Sequence, residues 1–227
     1  MVRVSKRRRE VMSLVDRSRR YSVAEAVRLL KGLPHARFDE TVEVSVKLGI
    51  DPKDTSQSVR GAFSLPHGLG KAVRVIVFCS GEEATRAKEA GAIEAGSDEL
   101  IQKVSGGWLD FDVAIASPDQ MAKVGKLGRL LGPRGLMPSP KSGTVTPKVL
   151  EAVRESVAGR AEFRADAGGN VHAPVGKLSF DEKALGENVQ AFLDYIRANR
   201  PASAKGVYFQ KAVISSTMGP GIPLALA

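Results

Sequence analysis

Apolar positions change their period along the chain, and each change marks an element. Val42, Val44, Val46 and Leu48 alternate with Glu43, Ser45 and Lys47, which predicts a strand with one buried and one wet face. A second strand is expected around Val59 to Leu65. Ahead of both, Val4 to Asp16 reads as a basic helix. Ser22-Val-Ala-Glu25 is a capping box for a helix through Val23, Ala26, Val27 and Leu30, stopped at Gly32-Leu33-Pro34.

After Pro66-His-Gly-Leu-Gly-Lys71 the alternation disappears. Val73 to Phe78 and Val113 to Ala116 are continuous apolar runs, with a short strand at Ile93 to Ala95 between them. Helical stretches at Glu82 to Ala90, Ser97 to Val104, Asp119 to Leu131 and Val149 to Val157 separate these runs. Ser97, Ser117-Pro118 and Thr146-Pro147 serve as start signals. Continuous strands between helices predict a mainly parallel sheet covered on both faces.

Alternation returns at Ala161 to Arg164 and Val171 to Val175, which flank Asp166-Ala-Gly-Gly-Asn170, a hairpin signal. A long helix carries Leu185, Val189, Phe192, Leu193 and Ile196 on one face and ends at Asn199-Arg-Pro201. Gly206 to Ser216 is the final expected strand. The fold class that follows is α/β with two domains joined by a hinge. Residues 1–70 and 159–227 form a discontinuous α+β domain, and 71–158 an inserted α/β domain of three layers.

Charge adds a functional direction. The 227 residues carry a net charge of +9. Residues 1–20 hold eight Lys/Arg against two acids, and residues 123–148 hold six with none, so the rest of the chain is slightly acidic. Two basic patches on an otherwise acidic body point to a polyanion; a solvated basic face is the plainer alternative. The second patch contains Val124–Gly143, with five glycines, three prolines and the cations Lys126, Arg129, Arg134 and Lys141. Turns that expose backbone amides beside such charge suit phosphates, although the glycines and prolines also have a purely structural reading.

Catalytic and cofactor signatures are missing. In Leu65-Pro-His-Gly-Leu-Gly-Lys71 the first glycine of a phosphate loop falls on Leu65, and Ala72 replaces the hydroxyl residue. Ser80-Gly81-Glu82-Glu83 follows the Val73–Phe78 strand where a dinucleotide site needs glycines, and its acids repel phosphate. His35, His67 and His172 are isolated, and Cys79 lies in an apolar run, so no metal or disulfide chemistry is expected. The acid pairs Asp39-Glu40 and Asp110/Asp112 read as solvated or capping residues. No apolar run is long enough for a membrane span, and Arg7-Arg8-Arg9 precede no apolar segment of a secretory signal. The reading is a non-enzyme without cofactor.

Three segments together resemble one family. Phe38-Asp-Glu-Thr-Val-Glu43, the run Val124-Gly-Lys-Leu-Gly-Arg-Leu-Leu-Gly-Pro-Arg-Gly-Leu-Met-Pro138 and Thr217-Met-Gly-Pro220 are similar to the motifs of large-subunit ribosomal protein one, the L-one stalk protein family. His172-Ala-Pro-Val-Gly-Lys177 and Ala204-Lys-Gly206 agree in character and order, and the likeness to the bacterial or organellar form covers essentially the whole chain. The resemblance implies the hinged two-domain fold, with the main RNA site on the discontinuous domain. It implies a cytoplasmic ribosomal protein, a monomer when free, that binds large-subunit ribosomal RNA at a mobile stalk beside the transfer-RNA exit site. It also implies help in releasing deacylated transfer RNA, and repression of its own operon through the messenger.

On that pattern the candidate RNA-binding residues are Arg37, Phe38, Thr41, Lys47, Arg164, Lys177, Lys211, Ser215, Thr217, Met218 and Gly219. Phe38 is a candidate for stacking or for core burial, and Met218 for packing on a sugar or filling a gap. The cations are candidates for phosphate contacts. Lys126, Arg129, Arg134 and Lys141 form a secondary basic segment. Two rivals come from other classes: an α/β nucleotide-binding enzyme using 71–158, against which the acidic Gly81-Glu-Glu turn and the absent phosphate fingerprint argue, and an RNA chaperone without a permanent place in the ribosome.

Overall fold

Val42, Val44, Val46 and Leu48 all point into one core, while Glu43, Ser45 and Lys47 between them do not. The computed structural model describes residues 5–52 and 54–226, without the side chains of Thr55 and Lys141. Two helices open the chain, α1 (Lys6–Leu14) and α2 (Val23–Gly32), followed by strands β1 (Thr41–Leu48) and β2 (Arg60–Ser64). Next come β3 (Val75–Phe78), α3 (Glu82–Glu89), β4 (Glu94–Gly96), α4 (Asp98–Ser105) and β5 (Val113–Ala116). Two short helices, α5 (Met121–Val124) and α6 (Gly128–Leu131), lead to α7 (Val149–Gly159). Then β6 (Arg160–Arg164), β7 (Asn170–Lys177), α8 (Glu182–Ala198), β8 (Phe209–Ser216) and β9 (Ile222–Pro223) complete it. The chain divides into two compact units, one taking in both ends, up to Gly70 and from Ala161, the other Lys71–Arg160.

In the first unit β1 pairs antiparallel with both β7 and β8, giving the order β7-β1-β8-β9. Helices α2 and α8 cover one face: Ala26, Val27 and Leu30 meet Leu185, Val189, Phe192 and Ile196 over the inward valines of β1. The capping box at Ser22 is complete, since its hydroxyl accepts from Glu25 N–H and the Glu25 carboxylate accepts from Ser22 N–H. The buried Asn188 amide of α8 donates to the carbonyls of Gly68 and Val175 and accepts from His67 N–H. This holds the 65–70 loop against the unit, with His67 paired to Glu187 at 2.6 Å.

In the second unit β3 lies between β4 and β5, all parallel. Alternate residues of β3 enter different cores. Ile76 and Phe78 meet Leu100, Val104, Val124, Leu127 and Leu131; Val75 and Val77 meet Ala87, Val149, Ala152 and Val153. Burial on both faces is why these strands are apolar throughout. Cys79 is fully buried, and burial pushes its thiol pKa up.

Several local expectations are corrected. Residues 166–170 form a turn, with the Asp166 carboxylate accepting from Gly168 and Asn170 N–H, but no extended hairpin follows. One bridge, Ala165 to Val171, links the two strands before β6 leaves to pair with β2 and β7 joins β1. The expected helix through 131 breaks into α5 and α6 with 3-10 turns at Pro118–Gln120 and Gly125–Leu127. Neither Ser97 nor Ser117 caps through its side chain; the Ser97 hydroxyl instead donates to Gln120 Oε1 at 2.7 Å. Thr146 Oγ1 accepts from Lys148 N–H, and Lys148 is the capping residue of α7. Strand β9 was not expected, because two residues are too few for a period. At the end of the second unit, Arg160 is tied back to Glu155 and to the Ser142 carbonyl.

Candidate nucleic-acid interface

Glu40 precedes β1 and is only 1% exposed. A buried carboxylate needs partners, and this one has four. It accepts from the Ser216 hydroxyl at 2.6 Å, the Met218 amide at 3.0 Å and the Ala36 amide at 2.7 Å, and faces the Arg7 guanidinium at 3.6 Å. Burial alone raises its pKa; the hydrogen bonds from Ser216, Ala36 and Met218 outweigh that and hold it below the ordinary carboxylate value. One side chain thereby joins the 36–40 loop to the loop after β8.

Thr41 and Thr217 close the same junction. Thr217 N–H donates to the Thr41 carbonyl at 3.0 Å, Thr41 N–H donates to the Thr217 hydroxyl at 3.0 Å, and that hydroxyl donates back to the Thr41 carbonyl at 3.2 Å. Lys177 Nζ, across the sheet, donates to the Thr41 hydroxyl at 2.8 Å. Gly219 N–H donates to the Ser216 carbonyl, and a Cβ on Gly219 would lie 2.4 Å from Ser216 Oγ. Only glycine lets the turn come this close without dislodging the hydroxyl from Glu40.

This pinned backbone presents two apolar side chains to solvent. Phe38 is 54% exposed and Met218 55%, so neither fills the core. Beyond them runs the outer face of the sheet, with Thr41, Glu43, Ser45 and Lys47 of β1 turned away from the core. The register sets Lys177 opposite Thr41, Ser215 opposite Glu43 and Lys211 opposite Lys47. Ser45 Oγ lies 2.9 Å from His172 Nδ1, and Lys47 Nζ donates to the Gly168 carbonyl. Lys47 and Lys211 lie six residues along β1 from Thr41, about 20 Å at strand rise. The face therefore offers hydroxyls, an exposed ring and thioether and Lys177 at one end, and Lys47 and Lys211 at the other, with Glu43 as an acid between them.

Not every candidate residue joins this face. Arg37 is exposed on the loop beside Phe38, whereas Arg164 stands on the separate β2–β6 sheet. Lys126, Arg129 and Arg134 belong to the second unit. There Val124, Leu127 and Leu131 are core residues, and the three cations between and after them are exposed. Among the described residues none of the three has an ion-pair partner, whereas Lys123 pairs with Asp98 and Lys148 with Glu151. The Lys141 side chain lies outside the described part of the structure. Gly143 has a structural reason: its φ is +67°, and a Cβ there would strike the Arg160 guanidinium at 2.4 Å.

The residue that sequence reasoning missed is Glu40. With Asp39 it reads as a solvated pair, yet Asp39 accepts from Ser179 N–H and hydroxyl while Glu40 is buried. The available signal was its place one residue before an inward-facing valine strand. Asp112 also departs from a solvated reading, because Arg74 and Lys71 hold its carboxyl at about 2 against burial. Among the described residues no group of three or more His, Cys, Asp or Glu gathers at metal-binding distance, and no helix is long and apolar enough to cross a membrane.

A mixed α/β fold with these motifs falls in the class of structural, non-enzymatic ribosomal proteins. Residues 29–220 match the ribosomal protein L1p/L10e family, and the chain belongs to that family. It is similar to the large ribosomal subunit protein uL1 of Kosmotoga olearia, 54% identical over 224 residues that cover 99% of this chain and 97% of that protein. The uL1 protein of Beutenbergia cavernae is likewise 54% identical over 224 residues, 99% of this chain and 94% of that protein. That of Protochlamydia amoebophila is 52% identical over 226 residues, 100% of this chain and 96% of that protein. The chain is thus a structural protein of the large ribosomal subunit, with its role in translation.

Proposed function

We propose that the outer face of the β7-β1-β8-β9 sheet, with the Thr217–Gly219 loop, binds large-subunit ribosomal RNA at the mobile stalk beside the transfer-RNA exit site. The observation that carries this reading is the pinned junction of Glu40, Thr41, Ser216 and Thr217, which holds Phe38 and Met218 in water next to Lys177. RNA is recognised through shape, 2′-hydroxyls and unstacked bases, so rigid backbone, hydroxyls and an exposed ring suit it. Phe38 stacks on a base or ribose, Thr217 and Ser215 meet 2′-hydroxyls, and Arg37, Lys47, Lys177 and Lys211 meet phosphates. A messenger segment that copies the stalk's shape occupies the same face, which is how the chain represses its own operon. The two units move about the crossings near Gly70 and Arg160, and Lys126, Arg129 and Arg134 engage exit-site transfer RNA and assist its release once deacylated.

A titration against the stalk fragment and a scrambled RNA, at two salt concentrations, tests the reading. Nanomolar, selective binding that persists at the higher salt is expected. Weak binding without selectivity leaves only a basic surface and returns the chain to an RNA-chaperone role.

A further inference from the structure

The bend after α1 brings Arg17 and Arg20 beside the far edge of the sheet. Tyr21 N–H donates to the Pro223 carbonyl at 3.0 Å, and Ala225 N–H to the Tyr21 carbonyl at 2.7 Å, so the chain leaving the bend runs along β9 as an added edge. Between bend and sheet lies a hollow of about 290 Å³ lined by Arg17, Ser18, Arg20 and Lys211, with Val213 and Leu224 among its apolar walls. No acid lines it. Among the described residues the side chains of Arg17, Arg20 and Lys211 have no ion-pair or hydrogen-bond partner, while neighbouring Arg19 is paired with Glu25 at 3.1 Å. The nearest acid in sequence, Asp16, is engaged by the amide and hydroxyl of Ser18 at 2.9 and 2.6 Å.

Three unpaired cations that line one hollow with an apolar floor offer a local positive field suited to an anion. We propose that this hollow is a phosphate clamp that takes consecutive backbone phosphates of an RNA strand leaving the sheet face past Lys211. Guanidinium forks from Arg17 and Arg20 grip phosphate oxygens, Lys211 adds a point charge, and the half-buried Val213 packs against ribose. The site follows the β9 edge of the face: Arg17 also borders the Met218–Gly219 loop, and Lys211 stands further from it along β8. It rests on the reading of that face as the RNA surface, and it lengthens the footprint without reading sequence.

The test compares the full-length protein with Arg17→Ala/Arg20→Ala, Lys211→Ala and, as a control outside the hollow, Arg19→Ala. Affinity for the stalk fragment and for scrambled RNA is measured across a salt series. All these side chains are exposed, so the folds are expected to hold, and thermal unfolding checks this. Each lost phosphate contact lowers the slope of log affinity against log salt by about 0.7 for a single strand. The double variant is expected to lose one to two such steps on both RNAs with selectivity unchanged, Lys211→Ala about one, and Arg19→Ala none. Unchanged slopes in the hollow variants overturn the clamp. So does a thermal shift by inorganic phosphate that the double variant loses while RNA slopes stay the same, which assigns the hollow to a small free anion. If the wild type fails to prefer the stalk fragment, the proposed function falls, yet the slopes on either RNA still decide the clamp.

Discussion

The hydroxyl of Ser216 donates a 2.6 Å hydrogen bond to the carboxylate of Glu40 across 176 residues of chain. That bond, with the Met218 and Ala36 amides on the same carboxylate, makes one rigid junction of two segments from opposite ends of the sequence. Glu40→Ala leaves a buried hydroxyl and two amides without their acceptor. We expect a loss of roughly 1–3 kcal/mol in urea unfolding, together with weaker RNA binding. Unchanged stability would show that the junction tolerates the loss and that the carboxylate does not organise the loop.

Gly219→Ala tests the junction from the other side. The added methyl meets Ser216 Oγ at 2.4 Å, so the hydroxyl must leave Glu40 or the loop must shift. A destabilisation of about 1–3 kcal/mol and reduced RNA affinity are expected. Gly186→Ala, where no atom lies within 4 Å of the new Cβ, is the matched control and should be near neutral or stabilising.

Phe38→Ala separates binding from folding. With the ring 54% exposed, melting temperature should change little. If a base stacks on it, affinity for the stalk fragment drops by roughly 1–3 kcal/mol, as base–aromatic contacts do. Equal loss of stability and binding would place the ring's role in folding.

Thr217→Ala removes a hydroxyl that already bridges Thr41 N–H and carbonyl, while Thr217→Ser keeps it. Specific RNA binding is expected to weaken by roughly 1–3 kcal/mol in the first and to recover in the second. Identical affinities for all three proteins, with folds intact, remove this hydroxyl from recognition.

Acid should act on the second unit through Asp112. Its carboxyl titrates at about 2, below the ordinary value of 3.8, because hydrogen bonds from Arg74 and Lys71 outweigh burial. A depressed carboxylate contributes stability above its unfolded pKa and loses it as pH falls through the folded one. The contribution, roughly 2 kcal/mol, is therefore present above about pH 4 and lost between about pH 4 and 2. Unfolding midpoints of Asp112→Asn followed over this range should vary less with pH than those of the wild type.

Periodicity made much of the fold legible. The valine alternation of β1, the capping box of α2, the apolar runs of β3 and β5 and the face of α8 are local signals that the structure bears out. Serine start signals were less reliable, since a hydroxyl such as that of Ser97 can find a tertiary partner instead. The hairpin at 166–170 shows the same limit: turn chemistry closed the turn, but pairing with β2 and β1 took its two arms into different sheets.

By itself the sequence determined most of the elements, the mixed α/β class, the family and the placement of the basic runs, because propensity, burial period and charge are written within a few residues of one another. Tertiary structure alone decided that Glu40 is buried, that Phe38 and Met218 stand in solvent, that Arg164 lies on another sheet, and that Arg17 and Arg20 meet Lys211. Those facts depend on contacts between residues more than a hundred positions apart. A local pattern can assign a side chain to a face, but only the packing of distant segments settles what that face meets.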